Sequence, residues 1–202
     1  MSLLTVNSLP ASRARGCVFA ENFDSIEAFY KNGGTIVTGT PVFGKNNCYF
    51  DGASYLRYPI EISSIRSTGP WTLSCFIKPS STTGYSISLG FGSIALTKLP
   101  WIGVGASGFF TTGTYGSALA STIAHDGVSW YHVASTFSSG TTTIYVNGVS
   151  YGSSGALVSA IDDSNVYIGG IPGYLMTGMV KRLRIFSVAL TSEEIAAYAR
   201  CG

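Results

Sequence analysis

Trp71-Thr72-Leu73-Ser74-Cys75-Phe76-Ile77-Lys78-Pro79 is the stretch from which the fold can be read. Trp71, Leu73, Cys75 and Ile77 alternate with Thr72, Ser74 and Lys78, giving an apolar side and a mostly polar side at the two-residue period of a β-strand. Within that run Cys75 reads as a small buried hydrophobe. Pro79 ends the run, because proline donates no hydrogen bond to a strand ladder.

Working outward, the same grammar recurs. In Trp130 to Phe137, the residues Tyr131, Val133 and Phe137 share a face. Thr142 to Val146 runs into Asn147-Gly148, a hairpin signal, because both turn positions need positive φ. Val149 to Tyr151 is then the returning strand, and Val166–Gly169 and Met179–Phe186 read as two more. Thr191-Ser192-Glu193-Glu194 has the form of a capping box opening a short helix through Tyr198, the one helix signal in the chain. Twenty-five glycines punctuate these runs. Short β-branched and aromatic runs between turns predict an all-β fold of two antiparallel sheets in a sandwich, with one short C-terminal helix. Residues 1–15 lack periodicity and read as an extended N-terminal arm, leaving 16–202 as a single sandwich domain.

Composition narrows the function. Of the 202 residues, 46% are hydrophobic and only 11% charged, against a usual charged share of about 25%. Either Ser, Thr and Gly coat the surface, or part of it is covered by other copies of the chain or by a partner. The net charge of +2 comes from thinly spread residues, with no basic stripe for phosphate, so nucleic acid is not an expected partner. No apolar run approaches the length of a membrane span. The first residues lack the charged start and apolar block of a secretory signal, and no Asn-x-Ser/Thr sequon occurs. The chain is therefore expected to be made in a cytosol.

The candidate chemistry is sparse. Cys17, Cys48, Cys75 and Cys201 include no close pair, which excludes a zinc knuckle and a Cys-x-x-Cys redox motif. Pairing of Cys17 with Cys201 would require the chain ends to meet. Glycoside hydrolysis needs two carboxylates flanking one bond; here Asp162 and Asp163 are adjacent, and Glu193 and Glu194 belong to the helix cap, so no enzyme is expected. His132 reads as a structural histidine within its strand. Gly103-Val104-Gly105-Ala106-Ser107-Gly108 has the glycines of a dinucleotide loop but precedes a strand rather than a helix. Asp126, Asp162 and Asp163 are the candidate metal ligands; Asx turns are the competing explanation for all three. Tyr85, Trp101, Tyr115 and Tyr174 stand in or beside Gly-rich turns and are the candidate ligand-binding aromatics, against the alternative that each fills the core.

Phe50-Asp51-Gly52-Ala53-Ser54-Tyr55-Leu56, the Trp71 strand, Trp130-Tyr131-His132-Val133-Ala134, Ile144-Tyr145-Val146-Asn147-Gly148, Val166-Tyr167-Ile168-Gly169-Gly170, Gly178 to Ile185 and Ala189 to Ile195 follow one another in an order that resembles the laminin-G-like domains of the concanavalin A-like lectin/glucanase superfamily. The resemblance spans about Phe50 to Ala199. It implies a jelly roll used for binding glycans, proteins or surfaces, although the same fold also carries glycosidases. Lys181 and Asn147 stand where that family often has aspartate, which removes acidic groups from any inherited calcium site. No cofactor is expected, and calcium is the one ion that the acidic loops leave open. By alternation Lys181 shares a face with Leu183 and Ile185, so its stem should be partly buried and its charge should find a partner.

Two functions follow. The first is a non-catalytic structural or adhesive component of a multi-copy assembly such as a virus or phage particle. It would be made in the cytosol, displayed outside, and partnered by copies of itself or by a capsid protein. The alternative is a soluble lectin-like module that binds a carbohydrate through loops at one end of the sandwich.

Overall fold

The computed structural model describes residues 15–59, 69–80, 84–155, 161 and 165–201. The predicted arm lies outside them except for Arg15. In chain order the elements begin with β1 (Cys17–Glu21), α1 (Ile26–Lys31), β2 (Thr35–Thr38), β3 (Val42–Gly44), β4 (Asn47–Asp51) and β5 (Tyr55–Pro59). They continue with β6 (Trp71–Pro79), β7 (Ser86–Phe91), β8 (Trp101–Val104), β9 (Phe109–Thr114) and β10 (Ser117–Ala124). The last are β11 (Tyr131–Ser138), β12 (Thr141–Val146), β13 (Val149–Gly155), β14 (Asn165–Ile168), β15 (Thr177–Phe186) and α2 (Ser192–Arg200). One sheet has the order β13-β12-β11-β6-β15-β4-β3, with β1 also paired to β15; the other runs β10-β9-β8-β7-β14-β5-β2. All the pairings are antiparallel.

The core lies between the sheets. Trp71, Leu73, Cys75 and Ile77 of β6 point into it, as their alternation predicts, and meet Leu89, Ile102, Val104 and Phe110 from the facing sheet. Trp71 stacks on Phe137 and meets Phe91 edge-on. Thr72, Ser74 and Phe76 on the other face of β6 are buried too, so that face is less polar in its surroundings than its sequence suggests. The cause is α2, which closes over Ala134, Tyr145 and Phe186 through Ile195 and Tyr198. Its capping box is present as expected: Thr191 accepts from the Glu194 amide and Glu194 accepts from the Thr191 amide.

The Asn147-Gly148 turn forms with φ of 50° and 83°, and the returning strand runs on to Gly155. The Asn147 side chain also accepts from the His132 amide. One helix escaped the sequence reading: α1 has six residues, with Ser25 as its N-cap. Gly103 to Gly108 spans the end of β8 and a turn into β9, with no helix opening there.

The alternation predicted for Lys181 is corrected by a bulge. The ladder between β15 and β6 shifts between Lys181 and Arg184, and Arg182 takes a positive φ of 51°. Leu183 and Ile185 enter the core, whereas Lys181 faces outward across from Phe76. Its ammonium lies 4.5 Å from the centre of the Trp130 ring and 5.4 Å from that of Phe76. The partner is an aromatic cage, not an acid.

β1 is pinned from the same strand. The buried Arg184 guanidinium donates to Leu183 O, Glu21 O and Asn22 Oδ1. Glu21 in turn accepts from the Phe23 amide and from the Tyr58 hydroxyl, tying β1 to the facing sheet. All four cysteines are free thiols. No helix among the described residues is long and apolar enough to cross a membrane.

Candidate functional site

The second sheet carries a row of residues on its outer face. Strand register sets Tyr167 opposite Gly90, Gly90 opposite Trp101, Trp101 opposite Gly113, and Gly113 opposite Ala118. Five strands thus present two large rings separated and followed by the smallest side chains, which leaves a trough beside Trp101. Gly113 is obligatory there, because a Cβ on it would lie 2.1 Å from Ser117 O, on the returning strand of its own hairpin.

Two turns wall the trough. The two-residue turn Tyr115-Gly116 joins β9 to β10, with Gly116 at a φ of 99°. It lifts the Tyr115 ring out of the sheet and against Tyr174, edge to face at 6.0 Å. Tyr174 sits in a turn closed by its own amide on Ile171 O, and its carbonyl accepts from the Ile87 amide, fixing this turn to β7. Tyr85 stands just before β7.

These parts enclose a cavity of about 340 Å³ lined by Tyr85, Ile87, Trp101 and Tyr115, with Thr114, Gly116, Ser117, Ala118 and Tyr174 completing it. All four aromatic candidates from the sequence line this one cavity. Trp101 is buried as its floor, Tyr115 is half-buried, and Tyr85 and Tyr174 are 47% and 36% exposed. The cavity opens on the face of a sheet between the Tyr115-Gly116 and Tyr174 turns, whereas the sequence reading places a carbohydrate site in loops at one end of the sandwich. Ile87, Thr114, Ser117 and Ala118 went unrecognised in the sequence, because only strand register reveals them as neighbours of Trp101.

Among the described residues, no lysine, arginine, aspartate, glutamate or histidine lines the cavity. Its chemistry is aromatic faces and hydroxyls. Such a surface can stack on the C–H face of an uncharged ring and exchange hydrogen bonds with its substituents. An ionised ligand would lose its hydration there without an opposite charge in return.

The metal candidates lie elsewhere. Asp126 is committed to its own turn: Oδ1 accepts from the Val128 and Ser129 amides, and Oδ2 from the Ser129 hydroxyl at 2.5 Å. Those bonds hold its carboxyl below the usual range. Asp162 and Asp163 lie outside the described residues. Among the described residues, no group of three His, Cys, Asp or Glu side chains comes together as a metal site.

A second polar pair is buried on the opposite sheet. Ser74 Oγ lies 2.8 Å from His132 Nε2 beneath α2. Burial holds the His132 pKa down to about 4. With His132 and Ser74 1% and 3% exposed, neither reaches a ligand from solvent, and the histidine is structural as its strand setting suggested.

Comparison with known proteins gives the architecture its relatives. A family model described as the Concanavalin A-like lectin/glucanases superfamily, of the laminin G type, matches residues 48–196. No curated protein matches the sequence. Domain 4 of AbnA, an extracellular arabinanase from Geobacillus stearothermophilus solved with arabinotriose, superposes with a TM-score of 0.70 at 18% identity, covering 93% of this chain and 100% of that one. The receptor-binding domain of a botulinum neurotoxin C/D mosaic gives 0.63 at 14% identity, with 83% of this chain covering 46% of that one. A heptameric SAP-like pentraxin from Limulus polyphemus gives 0.59 at 22% identity, with coverage of 77% and 82%. At these identities the solved structures establish the fold alone, while the family match spans most of the sequence. The chain belongs to the concanavalin A-like lectin/glucanases superfamily, as a laminin G-like domain.

Proposed function

We propose that this chain is a non-catalytic carbohydrate-binding module that takes a neutral glycan in the trough over Trp101. The observation that carries this reading is the convergence of Tyr85, Trp101, Tyr115 and Tyr174 on one cavity that no charged side chain lines among the described residues. A sugar ring would lie against the aromatic faces, and Ser117 and the backbone rims would meet its hydroxyls. The arabinanase domain solved with arabinotriose and the toxin receptor-binding domain support a binding role for this architecture. They favour it over the reading as a component of a virus or phage particle.

The test is binding of the purified chain to an array of neutral and sialylated glycans, followed by titration of the intrinsic tryptophan fluorescence, to which Trp101 contributes. Neutral glycans are expected to bind, and Tyr115→Ala and Tyr174→Ala each to weaken binding by roughly tenfold, about 1.4 kcal/mol. Since no carboxylate among the described residues lines the cavity, EDTA should leave binding unchanged. Binding confined to sialylated glycans, or abolished by EDTA, would refute the proposal.

A further inference from the structure

The cavity over Trp101 has a neighbour. A second hollow of about 330 Å³ is lined by Gly52, Gly84, Tyr85, Gly173, Tyr174 and Leu175. Tyr85 and Tyr174 line both hollows and are the exposed rings of the pair. They form a ridge between two compartments of one groove.

The compartments differ in chemistry. The first has the hydroxyl side chains Thr114 and Ser117 beside Trp101. Among the described residues the second offers three glycines, one leucine and the two shared rings, so the polar groups these supply beyond the tyrosine hydroxyls are backbone ones. Gly84 and Gly173 have φ of 81° and 85°, and a Cβ on either would meet nothing within 4 Å. Those positions are open, and the groove gains its depth from side chains that are missing.

Building on the glycan-binding reading, we infer that the groove takes an internal stretch of a linear neutral oligosaccharide, lying across the Tyr85–Tyr174 ridge with sugar units on both sides. The compartment over Trp101 selects the sugar. The glycine-lined compartment reads mainly chain length, because a surface of backbone and one leucine supports stacking and contact but discriminates poorly among hydroxyl patterns.

The test is calorimetric titration with arabinose, xylose, glucose and mannose and with linear oligosaccharides of each from two to six units. At least one series should gain affinity on the order of tenfold between the single sugar and the trisaccharide, then level off once both compartments are filled. Gly84→Asn and Gly173→Asn put a side chain into the second hollow while keeping a residue type that tolerates positive φ. Each should bring the affinity of the longer members down toward that of the single sugar, with the melting temperature reporting that the variant has folded. Equal affinity for single sugar and hexamer overturns this inference and leaves the glycan-binding reading standing. Failure of every series, together with a blank glycan array, removes both.

Discussion

His132 shows how one buried group sets a pH dependence. Its ring is 1% exposed, bonded to Ser74 and tilted against Phe76. Burial lowers its pKa from 6.5 to about 4, so folding favours the neutral ring. As pH falls, the unfolded chain therefore takes up the proton first. The stabilisation is complete above pH 6.5 and drains away between about 6.5 and 4, by about 3 kcal/mol at most. Denaturant melts at pH 7, 5.5 and 4.5 should show this decline, and His132→Gln should flatten it while retaining a partner for Ser74. An unchanged slope in that variant would assign the acid sensitivity to other groups. Asn147 carries two duties in the next hairpin, positive φ and acceptance from the His132 amide. Asn147→Ala loses both and should cost about 2 kcal/mol; Asn147→Gly keeps the backbone conformation and should cost less. Equal losses in the two variants would mean that backbone conformation contributes little there.

At the scale of elements, α2 is the piece that local sequence specifies most completely. Its N-terminus is closed by the reciprocal bonds of Thr191 and Glu194, and Ile195 anchors it over the outer face of the first sheet. Thr191→Ala removes one of those bonds and should lower stability by about 1 kcal/mol in chemical denaturation. The strands were legible where β-branched and aromatic runs are bounded by turn residues: β6, β11, β12 and β15 stand where those runs predict them. Legibility failed where a tertiary event intervenes. The bulge at Arg182 rotates Lys181 out of step with Leu183, and nothing local in Val180-Lys181-Arg182-Leu183 announces it. α1 is too short for a periodic signal and is held by Ser25 and the burial of Phe29. The candidate site divides in the same way. Each of its four rings could be picked out beside a glycine turn, but their convergence depends on Gly90, Trp101 and Gly113 falling in one row, and register across three strands is a long-range property.

At the scale of the whole molecule, the two sheets have different outer faces. One is capped by α2 and the Arg184 network; the other is left open as the trough. The cysteines follow this division of inside from outside: Cys48 and Cys75 are buried, Cys17 is half-buried and Cys201 is exposed. Burial also raises the thiol pKa values of Cys17, Cys48 and Cys75, which slows their alkylation further. Mass spectrometry after iodoacetamide should show one modification in the native chain, at Cys201, and four in denaturant without reductant. Two fewer modifications in denaturant would reveal a disulfide. The ends of the described chain meet on the capped side, where the Ser187 amide donates to Gly16 O and Arg15 lies 3.7 Å from Glu194. The described ends and the trough therefore lie on opposite faces of the sandwich. A bead or sensor surface coupled to the Cys201 sulfur would hold every molecule in one orientation, with the trough turned toward the solution.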